Sequence, residues 1–246
     1  MHDDVFQPLT NFTMLRIIAG KHKNRIIPTL KNAKYRPSTS KFREALFSIL
    51  SSGEFSDLNI FAHNTKVLDL FSGTGSLAFE ALSRGVSSVT LVDINIDYLK
   101  LAKDFAAKIG EKENSNFLHL NALNLPQSGH CYDLVFMDPP YHNNFASRAI
   151  ESLVKNNWVK NGTLIAVEMG QRDDLFSGPF SSPLRKSVNA TSLRASDSPR
   201  GVTSKERSHA LPSGQALNDT TKLGLQLIKQ KIYGSSKLLI LKYEQN

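Results

Sequence analysis

The chain has 246 residues, 40% of them hydrophobic and 21% charged, with a formal net charge of +8. This is enough apolar material for one substantial core, and no apolar run approaches the roughly 18 residues of a membrane-spanning helix. The single cysteine, Cys131, excludes an internal disulfide and reads as a packing residue; the seven histidines show no metal-ligand spacing, and the basic balance favours a polyanionic partner.

In chain order, residues 1–13 read as a loose extension. Met1-His2-Asp3-Asp4 lacks the basic start and apolar core of a signal peptide, so a reducing cytoplasm is the expected compartment. Residues 14–52 form the first unit. Arg16-Ile17-Ile18 and Asn24-Arg25-Ile26-Ile27-Pro28 alternate apolar and basic residues, which predicts a small hairpin with Ala19-Gly20-Lys21 in or near its turn. No acid occurs between residues 15 and 43, where Arg16, Lys21, Lys23, Arg25, Arg36 and Arg43 are among the bases. The bland reading of such a run is a solvated face; the functional one is a surface for nucleic-acid phosphates. Arg36-Pro37-Ser38-Thr39 reads as extended. Thr39 or Ser40 then caps a helix through Leu50, with Phe42, Ala45, Leu46 and Ile49 on its buried face.

From Lys66 onward strands and helices alternate. Strands are predicted over 66–70, 88–92, 116–120, 132–137 and 163–168, and helices near 76–84, 95–108 and 145–156. Leu223–Tyr233 and Lys237–Tyr243 read as closing antiparallel strands turned at Gly234-Ser235-Ser236. The pattern predicts an α/β fold for residues 53–246: a mostly parallel seven-stranded sheet with helices on both faces. Residues 175–222 interrupt it. Rich in Ser, Pro, Asn, Arg and Gly, they lack the apolar surface to offset chain ordering, and read as an inserted, mostly disordered loop. A flexible RNA-contacting arm is the functional alternative.

Two strand ends carry chemistry. Val67-Leu68-Asp69-Leu70 runs into Phe71-Ser72-Gly73-Thr74-Gly75 and then a helix; the glycines allow close backbone approach, and the helix N-terminus offers free N–H groups. Asp93, at the tip of the next strand, is placed to bind ribose hydroxyls. Gly73-x-Gly75-x-x-Ala78 followed by Asp93 also fits a dinucleotide-binding fingerprint. Asp69 argues against that, because a carboxylate there repels a pyrophosphate but binds the ammonium of an amino-acid moiety. S-adenosylmethionine has both an amino-acid end and a ribose. The second strand end is Asp138-Pro139-Pro140-Tyr141, after Tyr132-Asp133-Leu134-Val135-Phe136-Met137. Two prolines stop the strand and leave carbonyl acceptors beside a carboxylate and an aromatic ring. Such a corner suits a flat heterocycle with an exocyclic amine; a plain strand-to-loop turn is the alternative.

Together these motifs resemble the Rossmann-like class I S-adenosylmethionine-dependent methyltransferases that act on exocyclic amines of nucleic-acid bases. Leu15–Arg25 and Arg36-Pro37-Ser38-Thr39-Ser40-Lys41-Phe42-Arg43-Glu44-Ala45-Leu46-Phe47 are similar to the signature of the RsmD-type family, bacterial small-subunit (16S) ribosomal RNA guanine-N2 methyltransferases. The resemblance covers roughly residues 14–170 and 223–243. It implies cofactor contacts from Asp69, Phe71, Gly73, Gly75, Asp93, Ile94, Asn121 and Ala122. It implies base contacts from Asp138, Pro139, Pro140 and Tyr141, and RNA contacts from Arg16, Lys21, Lys23, Arg25, Arg36 and Arg43. Asn121-Ala122 departs from the family pattern, because many class I enzymes carry an acid there. The implied partner is 16S ribosomal RNA within a small-subunit particle, with no metal and no membrane, and a monomer is expected. Three rivals remain: an adenine-N6 DNA or RNA methyltransferase, a NAD-binding oxidoreductase, and an RNA-binding module without activity.

Overall fold

The computed structural model describes residues 15–30, 40–140, 144–175 and 223–245. The extension 1–13, Arg36, Tyr141 and all but the first residue of the 175–222 segment lie outside the described residues.

The helix α1 (Ser40–Leu50) is followed by a 3-10 turn (Gly53–Leu58). Then come β1 (Lys66–Leu70), α2 (Ser76–Arg84), β2 (Ser88–Asp93), α3 (Ile96–Lys108), β3 (Ser115–His119), β4 (Tyr132–Met137), α4 (Phe145–Lys155), β5 (Val159–Gly170), β6 (Leu225–Tyr233) and β7 (Ser236–Tyr243). The strands form one seven-stranded sheet in the order β3-β2-β1-β4-β5-β7-β6. The first five are parallel to one another, and β7 runs antiparallel to both β5 and β6. This is the class I methyltransferase arrangement. Among the described residues, no helix is long and apolar enough to cross a membrane.

The inner strands are apolar on both faces because helices cover both. Val67, Leu91, Leu134 and Phe136 pack toward α1, α2 and α3. Leu68, Leu70, Val92, Val135 and Met137 pack on the opposite face with Ala149, Ile150 and Leu153 of α4. Leu15, Ile17 and Ile27 of the N-terminal segment enter the first of these clusters, so this segment shares the core of the sheet.

Helix ends follow local chemistry. Asn95 caps α3, its Oδ1 accepting from Asp97 N at 2.9 Å and Tyr98 N at 3.4 Å. Gly85 ends α2 at φ 117°. The predicted hairpin is narrower than a two-stranded ladder: a single bridge joins Arg16 and Ile26, with Ile17 N donating to Arg25 O and Ile27 N to Leu15 O. The 3-10 turn was not legible in the sequence. β5 starts four residues before the predicted strand, because Asn161-Gly162 forms a bulge instead of a turn. Gly162 has φ 89°, and Thr163 Oγ1 accepts from Lys160 N and donates to the Tyr132 carbonyl.

Candidate active site

The pleat decides which face each strand-end residue takes. Val67 and Leu91 face α2, so Asp69 and Asp93, two residues further on, face it as well. Asp138 follows the last residue of β4, whose Phe136 faces the same way. Because β1, β2 and β4 are parallel neighbours, the three carboxylates meet at one end of the sheet.

Asp69 is buried, and its Oδ2 accepts from Ala78 N at 3.1 Å. Ala78 is the third residue of α2, whose N-cap Gly75 has no side chain to offer, so Asp69 caps the helix from the adjacent strand. Burial pushes its carboxyl well above the ordinary carboxylate range. The Ala78 hydrogen bond opposes this, while the nearby charges of Asp138 and Asp93 add to it. Among the described residues no cation pairs with Asp69. A buried carboxylate without a cation suits a cationic ligand group.

The loop between β1 and α2 is wound tightly. Phe71, Gly73 and Gly75 have φ values of 60°, 52° and 81°, a region that side chains disfavour. Ser72 N donates to Val92 O, and Gly75 N to Ser72 O. Space is tight at Gly75 too: a Cβ there would stand 2.5 Å from Leu91 Cδ2 and 2.8 Å from Phe79 Cε2, so those side chains would have to shift. Ser72 Oγ is buried and has no hydrogen-bond partner among the described residues. Asp93 holds this loop, with Oδ2 accepting from Gly73 N at 2.7 Å and Oδ1 from Asn95 N at 2.7 Å. A carboxylate with two accepted bonds keeps lone pairs for ribose hydroxyls. Ile94 follows with its apolar side chain 69% exposed, surface that a flat heterocycle can cover. Leu120 N donates to Asp93 O, which brings Asn121 and Ala122 to the same edge. Asn121 Oδ1 accepts from its own Leu123 N, and Ala122 is buried. The residues present therefore fit S-adenosylmethionine: a buried acid for the ammonium, a second acid for the ribose and open apolar surface for the adenine.

Asp138 is buried, as is Pro139, while Pro140 is exposed at the rim. Tyr141 lies outside the described residues.

The basic N-terminal residues do not act alike. Lys23 and Arg25 are exposed at the hairpin end. Arg16 is exposed and its Nη1 donates to Asn24 O at 3.2 Å. Lys21 is half exposed, but its ammonium lies 2.6 Å from Glu111 Oε1, shared with His22 Nε2. Burial would raise the Glu111 carboxyl; hydrogen bonds from Asn114, His22 and Lys21, with the Lys21 charge, outweigh it and hold it low. Arg43 overturns its expected role as an RNA contact. It is fully buried in α1, and Nη2 donates to the Arg16 carbonyl at 3.0 Å, so it ties the helix to the hairpin. Sequence reasoning also missed Glu80, Ser83 and Glu111, which receive the hairpin. The available signal was an acid within an apolar helix, Phe79-Glu80-Ala81-Leu82, in a chain whose first segment has no acid of its own.

A family profile described as conserved hypothetical protein 95 matches residues 15–194. An uncharacterised methylase of Rickettsia prowazekii is 36% identical over 278 aligned residues, covering 95% of this chain and 99% of that protein. The ribosomal RNA small subunit methyltransferase D of Haemophilus influenzae is 36% identical over 63% of this chain and 78% of its own length. The Escherichia coli protein of that name is 31% identical over 70% and 83%. Among solved structures, an Escherichia coli methyltransferase aligns with a TM-score of 0.64 at 22% identity, covering 95% of this chain and 99% of its own. An RNA methyltransferase from Salinibacter ruber, in complex with S-adenosyl-L-homocysteine, aligns with a TM-score of 0.53 at 10% identity. These two likenesses support the fold. The oxidoreductase reading falls with the full-length match to a methylase, and the inactive RNA-binding module falls with it. The chain belongs to the conserved hypothetical protein 95 family, the RsmD-like S-adenosylmethionine-dependent methylases.

Proposed function

We propose that this methylase transfers a methyl group to the exocyclic N2 amine of a guanine in small-subunit ribosomal RNA. The observation that carries the reading is the buried Asp138 beside Pro139, at the same sheet end as Asp69 and Asp93. The RNA assignment draws on the relatives that are small-subunit ribosomal RNA methyltransferases.

Bound S-adenosylmethionine supplies an electrophilic methyl on a sulfonium. The protein's task is to align the amine and exclude water. Asp69 holds the ammonium of the amino-acid end. Gly73 and Gly75, with Phe71, shape the turn around it. Asp93 takes the ribose, and Ile94, Asn121 and Ala122 border the adenine. On the acceptor side, an aromatic exocyclic amine is a poor nucleophile because its lone pair is delocalised into the ring. The Asp138 carboxylate and the Pro139 carbonyl accept its two N–H bonds, which favours a pyramidal nitrogen with its lone pair toward the methyl. The base must leave its RNA stack to enter, and Tyr141 is the stacking partner. With the cofactor bound, the amine nitrogen would take the methyl, S-adenosylhomocysteine would leave, and the proton lost by the amine would pass to solvent.

Tritiated methyl transfer to 30S particles and to deproteinised small-subunit RNA tests the acceptor class. Label in the RNA fraction of at least one is expected. Label found only in DNA or protein overturns the reading.

A further inference from the structure

The N-terminal hairpin (15–27) is seated on α2 by a set of bonds that the cofactor and base sites do not use. The Glu80 carboxylate is fully buried, and accepts from Ile18 N at 2.6 Å, Ala19 N at 3.0 Å and Arg84 Nε at 2.8 Å. One turn on, Ser83 Oγ accepts from His22 N at 2.9 Å and donates to Ala19 O, while the Ser83 carbonyl accepts from Lys21 N at 2.8 Å. Gly20, at φ 82°, lies so close that a Cβ would stand 1.8 Å from Ser83 O.

A buried carboxylate is tolerated when charge-assisted bonds satisfy it. Two of these bonds go to backbone N–H groups, so they fix the placement of a segment and not the identity of a side chain. An apolar residue at position 80 would bury area without specifying orientation. The segment held this way belongs to the acid-free stretch and presents Lys23 and Arg25 to solvent. α2 begins at the cofactor turn and runs down the sheet, so the hairpin tip sits near its far end. The seven residue-to-residue rises from Ser76 to Ser83 set an axial separation of about 10 Å.

We propose that Glu80 is a positioning residue for the RNA substrate, seating the hairpin so that Lys23 and Arg25 stand at a fixed distance from the Asp138 corner. This rests on the RNA reading above. Glu80 bonds to the hairpin backbone and to Arg84, acting on RNA only through the segment that it holds.

Three variants separate the roles. Glu80→Gln weakens the seat from α2. Gly20→Ala unseats the hairpin from its own side, leaves α2 untouched, and keeps the comparison readable if Glu80→Gln does not fold. Lys23→Ala with Arg25→Ala removes the charges alone. Each is assayed for KM and kcat on 30S particles, for S-adenosylmethionine affinity, and for the salt dependence of RNA binding. All three are expected to raise KM on the order of tenfold, and to lower the slope of log affinity against log salt by about 2. kcat and cofactor affinity stay at wild-type values, and Glu80→Gln adds nothing to the charge-removed variant. If charge removal weakens RNA binding while folded Glu80→Gln and Gly20→Ala keep wild-type KM and slope, Glu80 is structural only and the proposal is overturned. If the wild-type enzyme methylates particles but charge removal changes nothing, the hairpin does not dock RNA and the proposal falls alone. If the wild-type enzyme labels no RNA, the functional reading itself has failed.

Discussion

At the scale of residues, three carboxylates have different tasks. Asp138→Ala is expected to abolish most methyl transfer and leave cofactor affinity nearly intact, read by labelled transfer beside calorimetry; near-normal turnover of the folded variant removes it from the reaction. Asp93→Ala is expected to weaken cofactor binding by roughly 1–3 kcal/mol through lost hydrogen bonds. Part of that loss comes from the Gly73 amide that it releases, and unchanged affinity by calorimetry takes Asp93 out of the site. Asp69 gives a pH prediction. Burial raises its carboxyl pKa in the folded free protein. The raised value contributes stability below the unfolded pKa, and that contribution is lost as pH rises through the folded value. Once ionised, the group therefore weighs against the free protein. Asp69→Asn keeps an acceptor for Ala78 N, so above that folded value the free variant should melt higher than wild type yet bind cofactor more weakly, by about 1.5–3 kcal/mol for a lost charged bond. Wild-type cofactor affinity should also rise as pH rises through the folded Asp69 pKa, read by calorimetry, and an affinity that does not change with pH contradicts the assignment. The sequence made these residues legible because each lies at or beside the carboxyl end of an apolar strand. It did not reveal that Asp69 caps α2, since the capped amide lies nine residues on and comes near only through the strand–turn–helix fold.

At the scale of elements, the parallel strands and their helices were readable because inner strands are apolar runs and the helices keep a buried stripe, as Leu99, Ala102, Phe105 and Ala106 do in α3. The misses have local causes. Asn161-Gly162 has turn chemistry inside a bulged strand. Arg43 stands beside Glu44 on a helix whose other base is Lys41, and only the docked hairpin explains its burial. The sheet also changes the expectation for residues 175–222 as a simple insert before a closing hairpin. Gly170 pairs with Ser236 at the carboxyl end of β5, whereas Leu225 pairs with Tyr243 at the opposite end. Any connection must therefore cross the sheet, about 20 Å for the span Leu164–Gly170. Replacing 176–222 by ten or more Gly/Ser residues is expected to preserve the melting transition and cofactor affinity. A linker under about six residues cannot reach and should fail to fold. Loss of folding with the longer linker contradicts the expectation that the segment is dispensable.

At the scale of the whole molecule, the mostly parallel seven-stranded sheet follows from strand, helix and hairpin patterning, and its observed strand order agrees with the fold of solved methyltransferases. The sequence carried the class of chemistry because cofactor and amine corners fall on adjacent strand ends. It could not carry the target base, because Asp138, Pro139 and Pro140 offer acceptors that suit guanine N2 and adenine N6 alike; the choice of guanine comes from the resemblance of the N-terminal segment to the RsmD-type family. The most direct measurement is therefore the identity of the product. Small-subunit RNA methylated by the purified enzyme is digested to nucleosides and resolved by chromatography with mass detection. The account predicts N2-methylguanosine, absent when Asp138→Ala replaces the wild-type enzyme. N6-methyladenosine, or a methylated nucleoside that persists with Asp138→Ala, contradicts it.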